Sequence, residues 1–166
     1  MKNATTACLC LALAVSLATA VIAAPPAQEK TMHLAKGEFD VQVTPRELDG
    51  AAPDETFSRF ALTKQLRGDL VATGAGQMLA AGGPQSGAGA YVAIERLTGS
   101  LDGKTGSFAL QHRGTMDATG MEMHITVVPE SGTGDLKGIR GTFRILFDGP
   151  KHLYEFEYEL PGAETH

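Results

Sequence analysis

Cysteine and tryptophan are the residues that this chain uses least. It has no tryptophan, and its two cysteines, Cys8 and Cys10, lie among the first ten residues. Because those residues belong to a predicted signal segment, the mature chain would contain no cysteine, which excludes disulfides and thiolate chemistry. Such a domain depends on its own core. About 140 residues suffice, because a domain of that size buries roughly two-thirds of its unfolded surface.

Clustered basic charge and metal-ligand motifs are also missing. The formal net charge is −5, and the lysines and arginines do not form the clusters that bind nucleic acid, so we predict no nucleic-acid partner. The histidines show no short metal-ligand spacing, and we predict neither a metal site nor a cofactor. The loop Gly132-Thr133-Gly134 with Lys137 lacks phosphate-loop spacing, and we interpret it as a structural turn.

Residues 1–23 predict a secretory signal peptide that is removed. Lys2 precedes an apolar run that ends near Ala20, is too short to span a bilayer well and is followed by small residues. Cleavage is expected after Ala20 or after Ala23, and an uncleaved anchor helix is the alternative. We therefore predict an exported protein, either periplasmic or secreted.

The rest of the chain indicates one all-β domain. We expect a flexible leader over residues 24–31 and a single domain over residues 32–161. Strands with alternating apolar residues are predicted at 34–44, 57–66, 69–79, two segments within 89–116, 121–128, 142–147 and 152–160. Eight strands, twenty glycines and no long amphipathic helix favour an eight-stranded antiparallel closed barrel over a sandwich.

The central feature is a predicted hairpin, GAYVAIERLTGSLDGKTGSFALQHRGTM, over residues 89–116. A four-residue loop would place Glu95 directly opposite His112. A two-residue type I′ turn at Asp102-Gly103 would instead pair His112 with Ala93 and make Glu95 its diagonal neighbour. Both registers leave the two ionisable residues on one face, whereas a three-residue bulged loop would break this parity.

Glu95 and His112 are the candidate catalytic residues. Glu95 would act as a general base or an electrostatic stabiliser, and His112 as a proton shuttle or ligand donor. The structural alternative is a hydrogen-bonded pair that sets the strand register, since an unpartnered buried carboxylate costs several kcal/mol. A third alternative pairs Glu95 with an arginine of a neighbouring strand and leaves His112 exposed.

A set of aromatic and aliphatic residues on the predicted inner face could line a ligand cavity or could simply form the core. The set consists of Tyr91, Phe108, Leu110, Tyr154 and Tyr158. The outer face of the same hairpin carries Val92 and Ile94, which indicates that another chain covers part of it. We therefore expect a homo-oligomer.

Several long motifs resemble a family of small bacterial proteins known only as a domain of unknown function. They are GEFDVQVTP (37–45), RGDLVATGAGQML (67–79), the central hairpin, VVPESGTGDLKGIRG (127–141) and YEFEYEL (154–160). The family is similar to the allene oxide cyclase-like, or dirigent-like, β-barrels, a calycin-like architecture. The resemblance covers nearly all of the mature chain and implies an eight-stranded antiparallel barrel, often oligomeric.

Three functional hypotheses follow. The first is an exported barrel that binds a small, mostly apolar molecule in its interior or mouth. The second rests on the similarity to plant allene oxide cyclases, which close an unsaturated fatty-acid epoxide with a carboxylate and bound water. It is a cofactor-free isomerase or cyclase for an unsaturated lipid-like substrate, with Glu95 as the catalytic group. The third is a structural or interaction barrel that associates through Val92 and Ile94.

Overall fold

The computed structural model describes residues 31–48, 56–82 and 87–161. The predicted signal peptide (1–23) and the predicted leader (24–31), apart from Thr31, lie outside the described residues, so export stays a prediction. Within the described part of the chain, no helix is both long and apolar enough to cross a membrane.

Antiparallel strands form one closed sheet. They are β1 (His33–Arg46), β2 (Phe57–Gly68), β3 (Leu70–Ala81), β4 (Gly89–Leu101), β5 (Lys104–Asp117), β6 (Gly120–Val127), β7 (Thr133–Gly134), β8 (Arg140–Asp148) and β9 (Lys151–Glu159). The eight long strands follow the order β4–β3–β2–β1–β9–β8–β6–β5, and β5 pairs with β4 to close the sheet. The predicted eight-stranded antiparallel barrel is therefore confirmed. The two-residue β7 is an addition that pairs with β5.

Side-chain alternation separates the inner face of the barrel from the outer one. On β9, the aromatic residues Tyr154, Phe156 and Tyr158 are buried, while Glu155 and Glu157 face outwards between them. The inner aromatic rings stack on one another, with centroids 5.3 Å apart for Phe156 and Tyr158. The alternation thus gives β9 an aromatic inner face and an acidic outer face.

The turn between β4 and β5 decides between the two predicted registers. Leu101 pairs with Lys104, so only Asp102 and Gly103 form the loop. Both loop residues have positive φ, +48° and +77°, as a type I′ turn requires. Glu95 consequently pairs with Leu110 and is the diagonal neighbour of His112. The two-residue turn is confirmed, and the four-residue loop is wrong.

One end of the barrel, which we call the closed end, is filled. The glycine-rich connection after β6 folds Leu136 and Ile139 into the barrel, where each is 1% exposed. The Tyr158 hydroxyl donates a hydrogen bond to the carboxylate of Asp102 in the β4–β5 turn. The Tyr154 hydroxyl accepts a hydrogen bond from the backbone nitrogen of Leu70 at 2.9 Å. Packing and hydrogen bonds together seal this end.

The opposite end, which we call the open end, leaves inward-facing apolar residues exposed. It lies where β5 ends and β6 begins, and where β8 ends. Met116, Met121 and Phe147 occupy inward positions there and are 47%, 48% and 55% exposed. The open end is therefore a mouth with an apolar wall.

Candidate functional site

Three ionisable side chains meet inside the barrel between its two ends. Lys64 of β2, Glu95 of β4 and His112 of β5 all lie on the inner face, and their side chains are 5%, 1% and 4% exposed. The Lys64 Nζ atom lies 2.6 Å from Glu95 Oε1 and donates a hydrogen bond to it. The His112 Nε2 atom lies 3.0 Å from the same oxygen. We call these residues the buried charge cluster.

Glycines of β3 make room for the cluster, because β3 lies between β2 and β4. Lys64 pairs with Gly74, and Glu95 pairs with Gly76. A Cβ atom on Gly74 would lie 3.1 Å from Lys64 Cβ and 3.4 Å from Glu95 Oε2. The missing side chains thus let the lysine and the carboxylate meet across an intervening strand.

Two polar atoms of the cluster have no hydrogen-bond partner among the described residues. They are Glu95 Oε2 and His112 Nε2, and both are buried. The imidazole nitrogen nevertheless lies 3.0 Å from Glu95 Oε1, and its interaction with the carboxylate lowers the pKa of Glu95. Buried polar groups in proteins are nearly always paired, so the unpaired Glu95 Oε2 is an exception among the described residues.

The balance of burial and charge determines the protonation state of Glu95. Burial raises its pKa, but the imidazole of His112 and the ammonium group of Lys64 lower it, and the net pKa lies below the usual value for a glutamate. Glu95 is therefore an ionised carboxylate at neutral pH, paired with Lys64. Removing one partner of a buried ion pair is strongly destabilising, so the pair constrains the barrel whatever else it does.

A cavity of about 470 Å³ occupies the open end. Its lining combines inward-facing residues of β2 to β6 with the β3–β4 connection, and includes Ser58, Phe60, Met78, Ala80, Tyr91, Gly114, Met116 and Met121. None of the described lining residues is charged. We call this space the mouth cavity.

Tyr91 is the predicted ligand residue that lines the mouth cavity. Its ring lies against Gly114, its partner on β5, where any side chain would collide with the ring. Burial raises the pKa of the Tyr91 phenol, and the nearby carboxylate of Glu95 raises it further. Tyr91 therefore keeps its proton at neutral pH and lies between the mouth cavity and the buried charge cluster.

The other four predicted ligand residues lie in the packed core rather than in the mouth. Phe108, Leu110, Tyr154 and Tyr158 are each at most 2% exposed. The hydroxyls of Tyr154 and Tyr158 both form hydrogen bonds with protein groups, and burial raises the pKa of each phenol. Of the predicted site residues, the structure thus brings Glu95 and His112 together. It places Tyr91 nearer to the open end than this pair.

Lys64 is the site residue that the sequence reasoning missed. The expected partner for Glu95, if not His112, was an arginine of a neighbouring strand, and that alternative is wrong because a lysine two strands away forms the pair. The sequence did contain a signal that Lys64 faces inwards. Leu62, Lys64 and Leu66 occupy every second position of β2, so they share one face of the strand. A lysine between two buried leucines predicts a buried acidic partner.

The outer wall of β3 and β4 forms a second exposed apolar surface. Leu79, Val92 and Ile94 are about half exposed and line a groove of about 710 Å³. The groove extends to Gln111, Arg113, His124 and Thr126. β3 has no acidic residue, and the only one on β4 is the buried Glu95. The charged residues of this surface are basic, with Arg96 on β4 and Arg113 in the groove. We call this surface the β3–β4 wall. No group of three or more acidic residues, histidines or cysteines that could hold a metal ion occurs among the described residues.

The fold and site define a closed eight-stranded barrel with an apolar mouth above a buried ion pair. The chain belongs to the family described as "Protein of unknown function (DUF3224)", whose model matches residues 35–158. The family resemblance predicted from the sequence is thereby confirmed.

A solved structure of a DUF3224 protein of unknown function from Shewanella oneidensis MR-1 is similar to this chain. The sequences are 39% identical, the TM-score is 0.73, and the match covers 80% of this chain and 100% of the other. Comparison with curated proteins finds no match.

Proposed function

We propose that this protein binds a small apolar molecule in the mouth cavity. The single observation that carries the proposal is the cavity itself, about 470 Å³ in volume and lined by described residues without charge. Ligand sites typically enclose about 300–1,000 Å³ and combine apolar walls with a few polar groups. The polar side chains here include those of Ser58, Thr115 and Tyr91. The lining therefore suits a molecule with a largely hydrocarbon surface.

The exposed methionines of the mouth support the same proposal. Met116 and Met121 pair with one another across β5 and β6, and both are about half exposed. Burying apolar surface contributes about 25 cal/mol per Å², so covering these side chains with a ligand is favourable. Methionine is flexible and polarisable, and it adapts to ligands of different shape.

A blocked-cavity variant tests the proposal. Ala80 lines the mouth cavity, so Ala80→Trp should fill part of it, whereas Gln42→Trp places the same ring on the outer face of β1 as a matched control. We expect naphthalene, measured by equilibrium dialysis, to bind to the wild type and to Gln42→Trp but at least about tenfold more weakly to Ala80→Trp. Equal binding to all three proteins would show that the mouth is not the site.

The position of Glu95 bears on the isomerase or cyclase hypothesis. Glu95 is paired with Lys64 and ionised, and it is not among the residues that line the mouth cavity. A carboxylate with a lowered pKa is a weaker general base than one tuned towards neutrality. These observations favour ligand binding as the first candidate function, and catalysis by Glu95 stays a prediction from the sequence.

Self-association through the β3–β4 wall is a second candidate function. Charge distribution favours a second copy of this chain as the partner. The outer faces of β1 and β9 carry the acidic residues Glu38, Asp40, Glu155, Glu157 and Glu159. In a chain of net charge −5, two copies that meet through β3 and β4 keep these acidic faces apart. Gln77, Gln111 and Thr126 could form reciprocal hydrogen bonds in a two-fold interface.

Two matched charge substitutions test this association. Ile94 on the β3–β4 wall is 54% exposed, and Leu34 on the outer face of β1 is 50% exposed. We expect multi-angle light scattering to find a dimer for the wild type and for Leu34→Asp, and a monomer for Ile94→Asp. The proposal would be contradicted if the wild type were a monomer at high concentration. It would also be contradicted if the Ile94→Asp variant were still a dimer.

A further inference from the structure

Methionine is distributed unevenly over the barrel. After Met32, which precedes β1, every methionine of the sequence lies on the inner face at the open end. They are Met78 of β3, Met116 of β5, and Met121 and Met123 of β6. The first three line the mouth cavity, and alternation along β6 places Met123 on the same face as Met121. Thioether sulfur is therefore concentrated at one end of the barrel.

Three of these thioethers belong to the β5–β6 hairpin, and we call them the methionine triad. Met116 pairs directly with Met121, and Met123 is the diagonal neighbour of Met116. The Cβ atoms of direct partners are about 5 Å apart, and those of diagonal or successive same-face positions about 7 Å apart. A point about 4 Å from all three Cβ atoms therefore exists. Because each sulfur lies two bonds beyond Cβ and metal–sulfur bonds are about 2.3 Å long, all three sulfurs can reach an ion there.

The turn of this hairpin fixes the backbone that carries the triad. The Asp117 carboxylate accepts hydrogen bonds from the backbone nitrogen of Thr119 at 2.7 Å and from its hydroxyl at 2.6 Å. Asp117 also pairs with Gly120, whose φ of +144° is a conformation that glycine adopts without strain. The backbone is thus held in place, and only the flexible methionine side chains need to adjust to an ion.

An aromatic ring borders the triad. Gly114 pairs with Met123 on one side and with Tyr91 on the other, and the Tyr91 ring occupies the space that a Gly114 side chain would need. A cation within about 6 Å of the face of such a ring is attracted to it. None of the described residues that line the mouth cavity carries a charge that would repel a cation. The surroundings of the triad therefore suit an ion of low positive charge.

We propose that Met116, Met121 and Met123 bind a soft monovalent metal ion, Cu(I) or Ag(I), at the rim of the mouth. Neutral thioethers select soft ions such as Cu(I), whereas Zn²⁺ takes thiolate, imidazole or carboxylate ligands and Mg²⁺ and Ca²⁺ take oxygen ligands. Acidic residues, histidines and cysteines form no group of three that could hold a metal ion in the described part of the chain. The sequence-based prediction of no metal site rested on histidine spacing and did not consider methionine sulfur.

Silver(I) nitrate in chloride-free buffer is the probe, because Ag(I) binds thioethers and is stable in air. All proteins carry Cys8→Ser and Cys10→Ser, which remove the two thiols of the chain. In spectra of protein labelled with methyl-¹³C methionine, one equivalent of silver should shift the three methyl signals of the triad. The signals of Met32 and Met78 should stay in place. Absence of any shift, or a shift caused equally by Zn²⁺, would overturn the proposal.

Matched leucine variants locate the site, because leucine keeps the size and the apolarity of methionine and removes the sulfur. We expect calorimetric titration to show silver binding at least about tenfold weaker in Met121→Leu than in the parent protein, and unchanged in Met78→Leu, which alters the same cavity outside the triad. Equal affinities of Met121→Leu and the parent, or an equal loss in Met78→Leu, would contradict the site. Naphthalene binding should be unchanged in Met121→Leu, so the metal site and the proposed apolar site are tested separately.

Discussion

The two ends of the barrel have similar inward-facing sequences but different environments. On β8, Phe143 and Phe147 are four residues apart and both point inwards, yet Phe143 is 2% exposed and Phe147 is 55% exposed. Phe143 stacks on Tyr154 with ring centroids 5.2 Å apart, in the closed end. The difference shows that alternation assigns a residue to a face, whereas its depth depends on what covers the end of the barrel.

The tyrosines show the same contrast. At the closed end, the Tyr158 hydroxyl donates to Asp102 and the Tyr154 hydroxyl bonds to the backbone of Leu70. At the open end, Tyr91 borders the mouth cavity, and its hydroxyl forms no hydrogen bond with a described residue. Phenols in the core thus stabilise the barrel, whereas the phenol at the mouth is available to a ligand.

The largest predicted effect compares the two phenylalanines of β8. Phe143→Ala should lower the free energy of unfolding by about 3–5 kcal/mol, because it removes buried surface and leaves a cavity. Phe147→Ala should lower it by less than about 1 kcal/mol, because that ring is already half exposed. Urea unfolding of the two variants measures both values. Equal losses would show that the open end is as tightly packed as the closed end.

The next effect concerns the buried charge cluster, which separates the two ends. Lys64→Met should lower the free energy of unfolding by about 3 kcal/mol. This value is at the lower end of the range for breaking a buried ion pair, because Glu95 can take up a proton when its partner is removed. The control is Lys36→Met, which breaks the exposed Lys36–Glu155 pair of 2.7 Å and should cost less than about 1 kcal/mol. Adding Glu95→Gln to Lys64→Met should recover part of the loss in urea unfolding. No recovery would contradict an electrostatic origin.

A smaller effect separates the phenols of the two ends. Tyr158→Phe should lower the free energy of unfolding by about 1.5 kcal/mol, since it removes a hydrogen bond to a carboxylate that is itself exposed. Tyr91→Phe should change it by less than about 0.5 kcal/mol, because that hydroxyl has no described partner to lose. Thermal and urea unfolding give both values, and a larger loss for Tyr91→Phe would reverse the contrast between the ends.

Local sequence patterns were sufficient to predict the barrel. Eight alternating segments predicted the strands, and Asp102-Gly103 supplied the positive φ angles of the two-residue turn. The choice between a two-residue and a four-residue loop needed the structure, because both are compatible with the same flanking strands. Both registers nevertheless placed Glu95 and His112 on one face, and that prediction did not depend on the choice.

The site was only partly predictable, because its contacts cross strands that are not adjacent. Lys64 reaches Glu95 across β3, and the contact depends on Gly74, a relation that no local pattern contains. The division between a filled and an open end also depends on Leu136 and Ile139, which come from a connection rather than a strand. Alternation therefore predicted which residues face inwards but not which of them meet a cavity.

The smallest predicted effect is the pH dependence that Glu95 confers. Its pKa in the folded protein is lowered, so the unfolded chain binds more protons than the folded one at acidic pH, and stability rises with pH there. The contribution should be complete above the ordinary glutamate value of about 4.3 and should decline as pH falls through the lowered pKa. Urea midpoints between about pH 3 and pH 6 should fall less steeply in Glu95→Gln than in the wild type. Parallel profiles would mean that other carboxylates account for the acid sensitivity and that the buried cluster does not. Asp117 and Glu155 on the outside of the barrel are such groups, because their pKa values are also lowered.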